Sequence, residues 1–155
     1  MTLKTIASFQ VNHDTLERGM YVSRIDGDVV TYDIRMKKPN QGDYLSTGTA
    51  HTFEHLFATL ARNSDWGGSV IYVGPMGCRT GFYFLVRDTM PHAAAIGLVR
   101  GCFAQIAAWE GEIPGATRAQ CGNYLDQDLD GAKAVAAGMC EVLKDWTEEK
   151  LNYES

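Results

Sequence analysis

Nothing in this chain approaches the run of about 20 apolar residues that spans a bilayer, and the opening Met1-Thr-Leu-Lys-Thr-Ile-Ala-Ser-Phe lacks the apolar centre of a secretory leader. No membrane association is expected, and a cytoplasmic location is. Cys-x-x-Cys pairs are also absent: Cys78, Cys102, Cys121 and Cys140 are scattered through a chain long enough to bury a core without disulfides. In a reducing compartment each is expected as a thiol, a ligand or a nucleophile. Positive charge is sparse, with a formal net charge of −5 and Lys37-Lys38 as the one conspicuous basic pair, which excludes the stripe that neutralises nucleic-acid phosphates. Low-complexity tracts, internal repeats and Pro/Ser-rich linkers are missing too. What remains, 45% apolar and 21% charged residues over 155 positions, is the composition of one folded domain, 1–155.

Alternation from Val29 to Met36 predicts a strand with Val30, Tyr32, Ile34 and Met36 on an apolar side and Thr31, Asp33 and Arg35 on a polar side. Two further strands are expected over Ser69–Val73 and Gly81–Arg87, separated by a turn that carries Cys78. Helical periods run from the end of a Gly/Ser/Thr-rich connection near Thr49 to Asn63, from about Pro91 to Trp109, and from about Gly131 to Trp146. Ala116 to Tyr124 reads as a short edge strand ending in a turn at Gly122. Strands in meander order with three helices predict an α+β fold, its helices packed against an antiparallel sheet.

The helix beginning near Thr49 carries chemistry as well as packing. Phe53, Leu56, Phe57 and Leu60 form its core stripe, while His51 and His55 point roughly the opposite way, one turn apart, with Glu54 beside them. Two imidazoles so spaced can share one metal ion, and a carboxylate next to that ion can move protons. The alternative is a pair of solvated histidines on an ordinary amphipathic helix. Ala58 and Ala61, small residues flanking the polar face, favour a second segment covering it.

Cys102 lies on a core stripe and Cys140 adjoins one, so both read as small hydrophobes. Cys78 and Cys121 sit instead beside glycines in turns. Cys121 is a candidate third ligand, which would give a His, His, Cys site with one open position, suited to Zn²⁺ or Fe²⁺ rather than Mg²⁺ or Ca²⁺. Cys78, between Gly77 and Arg79, is a candidate accessible thiol whose thiolate a nearby cation would favour. A turn cysteine without a role stays open for each. His92, just after Pro91 at a helix start, reads as a surface residue without a role.

Three blocks, His-Thr-Phe-Glu-His at 51–55, Gly-Pro-Met-Gly-Cys-Arg-Thr-Gly-Phe-Tyr at 74–83 and Gln-Cys-Gly-Asn-Tyr at 120–124, resemble in order and content the S-ribosylhomocysteine lyase family, which makes the precursor of autoinducer-2. Ser8-Phe9, His13 and Asp33-Ile-Arg35 with Pro39-Asn40 extend the resemblance over nearly the whole chain. It implies a homodimer with active sites at the subunit interface. It also implies a metal held by His51, His55 and Cys121, natively Fe²⁺ with Zn²⁺ or Co²⁺ as working substitutes, and no organic cofactor. Glu54 and Cys78 would carry protons, and Ser8, His13 and Arg35 would bind substrate, reaching the other subunit's metal site. The implied reaction moves a carbonyl along the ribose through enediolates, then releases homocysteine and 4,5-dihydroxy-2,3-pentanedione by β-elimination. Where many relatives have an acidic residue shortly before the Pro-Met-Gly-Cys block, this chain reads Tyr72-Val73-Gly74.

Two other readings share the motif helix. A metallopeptidase of the inverted-zincin kind would use His51, His55 and Glu54 with a downstream glutamate as third ligand. A non-catalytic metal-binding relative would have a fourth protein ligand and little use for Glu54 or Cys78.

Overall fold

A computed structural model describes residues 2–154, so the outermost residues of the 1–155 domain lie outside the described residues. A short helix α1 (Ala7–Gln10) precedes β1 (Gly19–Asp26) and β2 (Val29–Arg35), which are followed by α2 (Thr47–Arg62). Next come β3 (Val70–Pro75), β4 (Gly81–Arg87), α3 (His92–Ala107) and α4 (Leu129–Leu143), with a 3₁₀ turn, Glu148–Leu151, near the end. The four strands form one sheet, ordered β1-β2-β4-β3, in which every neighbouring pair is antiparallel. The fold is α+β, as expected.

The strands do not form a meander. β2 and β3 both run antiparallel to β4 and so run the same way, joined by α2, with β4 between them. Parallel strands need a crossover rather than a hairpin, and the helix supplies it. The helices pack on the apolar face: Tyr32 and Ile34 of β2 and Phe82, Phe84 and Val86 of β4 are wholly buried against Phe53 and Phe57 of α2 and Phe103 of α3. Phe53 and Phe57 meet Phe103 edge-on, with ring centroids 5.0 and 5.2 Å apart. Each such side chain contributes roughly 1.5–3 kcal/mol through burial, so this aromatic layer fixes α2 against the sheet and thereby fixes the motif histidines.

Three sequence expectations are corrected. β1 was not anticipated, because its pairing with β2 shifts register between Val22 and Arg24 and the bulge breaks the alternation that marks a strand. Ala116 to Tyr124 is not an edge strand: the backbone N–H groups of Gln120 and Cys121 both donate to the Thr117 carbonyl, at 3.1 and 3.0 Å, which coils the segment into turns. His92 is not idle, since its Nδ1 lies 2.7 Å from the hydroxyl of the fully buried Tyr32 and satisfies that phenol beneath α3.

On the second face of the sheet, Asp33 and Arg35 belong to the side read as polar, and they are only 1% and 3% exposed. The cross-strand neighbours of Arg35 are Gly19 and Gly81, which present no side chain opposite it. Cover comes from Tyr153, which follows the 3₁₀ turn and stacks on Tyr21 with ring centroids 5.0 Å apart. Among the described residues no helix is long and apolar enough to cross a membrane.

Candidate metal centre and active site

Helix α2 opens with Ser46 as its cap, whose hydroxyl oxygen accepts from the Thr49 backbone N–H at 3.1 Å. One turn later, His51 and His55 present their Nε2 atoms to each other at 3.0 Å, and the Cys121 sulfur lies 3.3 Å from the His51 Nε2. These three ligand atoms all fall within 4.8 Å of one another, the only such group of His, Cys, Asp or Glu side chains among the described residues.

The outer nitrogens decide what the inner ones can do. His51 Nδ1 donates to the Asp126 carbonyl at 2.8 Å, and His55 Nδ1 donates to the Pro114 carbonyl at 2.7 Å. A carbonyl only accepts, so both rings carry their hydrogen on Nδ1 and both Nε2 lone pairs face inward with the sulfur. Three acceptors converging on one point form a set that a cation satisfies, and the backbone carbonyls behind the imidazoles are the usual outer partners of metal-bound histidines. Two imidazoles and a thiolate suit Zn²⁺ or Fe²⁺. The third donor in this group is a cysteine, where the peptidase reading needs a glutamate.

The segment that delivers Cys121, residues 108–128, has no regular secondary structure and is tied to α2 by polar contacts that the sequence did not announce. Thr52, inside the motif and fully buried, donates to Gln127 Oε1 at 2.6 Å and accepts from the Asp128 N–H at 2.9 Å. Asp128 then caps α4 by accepting from the Gly131 N–H at 2.8 Å. Gly115 takes φ +72°, and a Cβ there would lie 3.2 Å from His55 Nδ1, so any other residue here would press on the ring. Glu54, half-buried, lines an open cleft of about 410 Å³ with His55, Arg62, Tyr72, Pro114 and Gly115.

A second group of predicted residues gathers on the other face of the sheet. Arg35 forks onto Asp33, with Nε 3.2 Å from Oδ1 and Nη2 2.7 Å from Oδ2, and its Nη1 donates to Thr80 Oγ1 at 2.7 Å. Thr80 Oγ1 is in turn 3.0 Å from the sulfur of Cys78, which sits exposed in the β3–β4 turn beside the left-handed Arg79. Burial works against the charge of Arg35, and Asp33 more than offsets it, so the guanidinium is held above its ordinary range. Burial pushes the Tyr83 phenol up, with Asp33 adding to the shift, while Arg35 and the nearby Ser8 hydroxyl oppose it. Ser8 thus lies near Tyr83, the cross-strand neighbour of Asp33 on β4. His13 is half-buried in the N-terminal segment, with Nδ1 2.8 Å from the Val11 carbonyl.

The predicted residues therefore form two sets in one chain: His51, His55 and Cys121 beside Glu54, and Cys78 and Arg35 joined through Thr80, with Ser8 near Tyr83. No hydrogen bond or ion pair joins the two sets among the described residues. Cys102 is a buried core thiol, as its helical position implied, and burial pushes it up to about 11. Thr52, Thr80, Pro114, Gly115 and Tyr153 escaped sequence reasoning, because each acts through a contact with a distant part of the chain.

Two histidines and a cysteine able to hold a metal ion, on an α+β scaffold, define the class of protein. Residues 6–150 match the family described as S-Ribosylhomocysteinase (LuxS), and the chain belongs to that family. Its relatives include proteins named S-ribosylhomocysteine lyase from Clostridium acetobutylicum, 44% identical over 97% of this chain and 99% of that protein, and from Phocaeicola vulgatus, 45% identical over 97% and 98%. The Desulfotalea psychrophila protein of the same name is 41% identical over 99% of this chain and all of its own length.

Proposed function

We propose that this chain is a metal-dependent S-ribosylhomocysteine lyase, a carbon–sulfur lyase of autoinducer synthesis that releases homocysteine and 4,5-dihydroxy-2,3-pentanedione. The observation that carries the reading is the convergence of His51 Nε2, His55 Nε2 and Cys121 Sγ, each histidine held by a backbone carbonyl. The near full-length match to proteins of that name supports it. The preferred ion in this reading is Fe²⁺, with Zn²⁺ or Co²⁺ able to substitute, because a mixed nitrogen and thiolate set accepts all three. Bound there, it would supply Lewis acidity, making a C–H beside the substrate carbonyl easier to deprotonate.

The chain's own groups have the proton work. Opening of the ribose hemiacetal exposes an aldehyde at C1. Removing the C2 proton and returning one to C1 moves the carbonyl to C2, and the same exchange between C3 and C2 moves it to C3. Loss of the C4 proton then expels the C5 sulfur, which leaves as homocysteine once it gains a proton. Each stage needs one group to accept and one to donate, and Glu54 and Cys78 are two such groups, alternating between acid and base. Glu54 lines the cleft beside His55, and Cys78 stands exposed on its turn. No organic cofactor is needed.

In this reading the working unit is a homodimer with its active sites at the interface. Support comes from the division of the predicted residues into two sets in one chain. A second copy would bring Ser8, His13 and Arg35 to the substrate held at the first copy's metal, and Cys78 would travel with Arg35, to which Thr80 links it. Exposed Leu3, Ile6 and Phe9, on the N-terminal segment, suit burial in such an interface. A cytoplasmic location accompanies the reading.

The deciding experiment measures free homocysteine thiol released from S-ribosylhomocysteine by protein purified anaerobically with Fe²⁺, beside a Cys78→Ala control. Release by the parent protein and none by the variant is expected. Metal-loaded parent protein that releases no thiol would overturn the assignment, and peptide hydrolysis in its place would point to a peptidase.

A further inference from the structure

We propose that Tyr153, from the C-terminal segment, is a positioning residue for Cys78, acting through Asp33, Arg35 and Thr80. The inference rests on the reading of Cys78 as a proton carrier and adds a remote part of the chain to that site.

The direction of every hydrogen bond in the series follows from the chemistry of its members. Tyr153 Oη lies 2.6 Å from Asp33 Oδ2, and an ionised carboxylate only accepts, so the phenol donates. Arg35 has donors alone. Its Nη2 shares the same Oδ2 at 2.7 Å, and its Nη1, 2.7 Å from Thr80, obliges that hydroxyl oxygen to accept. The single hydrogen of Thr80 is then free to point at the Cys78 sulfur 3.0 Å away. A donor aimed at sulfur serves cysteine in the form that accepts, the nucleophilic and basic one. The order is Tyr153 to Asp33, Arg35 to both Asp33 and Thr80, and Thr80 to Cys78.

Tyr153 is built into this position. Leu151 two residues earlier is buried, and the Tyr153 ring stacks on Tyr21, the cross-strand neighbour of Asp33 on β1. Burial first, then the charge of Asp33, holds the phenol well above its ordinary range, so it remains a donor. The other polar groups facing the series are Ser23, which acts on the Tyr153 phenol, Tyr83, the cross-strand neighbour of Asp33 on β4, and Ser8 near Tyr83; Arg79 is turned away, its Nη1 3.4 Å from the Leu45 carbonyl. Without the Tyr153 hydroxyl, Asp33 Oδ2 keeps Arg35 as its sole donor. The fork can then rotate toward the carboxylate and off Thr80, which releases the threonine hydroxyl from its orientation toward sulfur.

The test uses the Fe²⁺-loaded full chain and two readouts: the rate at which iodoacetamide alkylates Cys78, resolved by peptide mass spectrometry, and the kcat and KM for homocysteine release. Loss of one well-placed hydrogen bond corresponds to about three- to tenfold. Tyr153→Phe, which keeps the stacked ring, should slow Cys78 alkylation and lower kcat by that factor with KM and metal content unchanged. Cys140, alkylated in the same molecule, should react at the parental rate, which separates positioning from general loosening of the fold. Thr80→Val should slow Cys78 alkylation at least as much, and Thr80→Ser should restore it. Parental alkylation and kcat in Tyr153→Phe would overturn the proposal; should that variant not fold, parental alkylation in Thr80→Val would do so. If instead Cys78→Ala still releases homocysteine, the reading of Cys78 itself fails, a result distinct from either.

Discussion

Replacing Gly115 by alanine sets one methyl group against the His55 imidazole, one of the three groups that could hold a metal ion. Gly115 has φ +72°, where a residue with a Cβ costs about 1 kcal/mol. For a domain of this size that lowers the melting temperature by about 2–4 °C. The new Cβ would lie 3.2 Å from His55 Nδ1 and 3.5 Å from Cε1, so the ring must yield by a few tenths of an ångström. That same Nδ1 makes the 2.7 Å bond to the Pro114 carbonyl that keeps Nε2 directed inward. Disturbing an outer partner of a metal-bound histidine reduces affinity about 10–100-fold, and a small displacement belongs near tenfold. Gly111→Ala provides the control, since φ there is +95° but a Cβ would meet nothing within 4 Å. Competition for Zn²⁺ with a chelator, beside calorimetric melting, reads both quantities. Both variants should melt earlier, and only Gly115→Ala should bind metal more weakly. Equal metal affinity in the two would refute the idea that the 108–128 segment sets the orientation of His55.

Three further predictions address other parts of the molecule. Asp33→Ala leaves the Arg35 guanidinium buried without its carboxylate and should cost about 3–5 kcal/mol, read as a lower denaturant midpoint; a loss below 1 kcal/mol would mean that water reaches the pair. The Tyr32 phenol is pushed up to about 12 by burial and then by the charge of Glu148, and Tyr21 also to about 12 by burial and then Asp33. The unfolded chain loses these protons near pH 10, before the folded chain does, so stability is full below pH 10 and falls as pH rises toward 12. Tyr32→Phe should flatten that fall in melts taken between pH 9 and 12, and an identical slope in the variant would refute the assignment. Mixing Glu54→Ala subunits with Arg35→Ala subunits should restore homocysteine release, because one site of the heterodimer would contain both intact residues; no recovery in any mixture would sink the shared-site arrangement.

How much of this was legible in the sequence depends on distance along the chain. The helix period placed His51, His55 and Glu54 together and Phe53, Leu56 and Phe57 opposite, because residues three and four apart on a helix are neighbours whatever surrounds them. Alternation located β2 and β4 on the same local ground. β1 was missed where its bulge interrupts the period, and the meander order failed because strand neighbours are chosen by packing across α2 rather than by succession. The polar side of β2 was legible as a face, but its burial was not. Whether Asp33 and Arg35 meet water depends on the C-terminal segment 120 residues later, which local pattern does not encode.

Sequence by itself determined the donor types and the helical pair. The resemblance of three ordered blocks added Cys121, which spacing alone left open as a turn cysteine. Tertiary structure decided that Cys121 approaches to 3.3 Å from His51, that two backbone carbonyls fix both imidazoles, and that Cys78 is linked to Arg35 through Thr80. The physical reason is directional: a hydrogen bond or a coordination bond needs its partner within about 3 Å and suitably aimed. Only a packed core holds groups from distant parts of a chain to that tolerance.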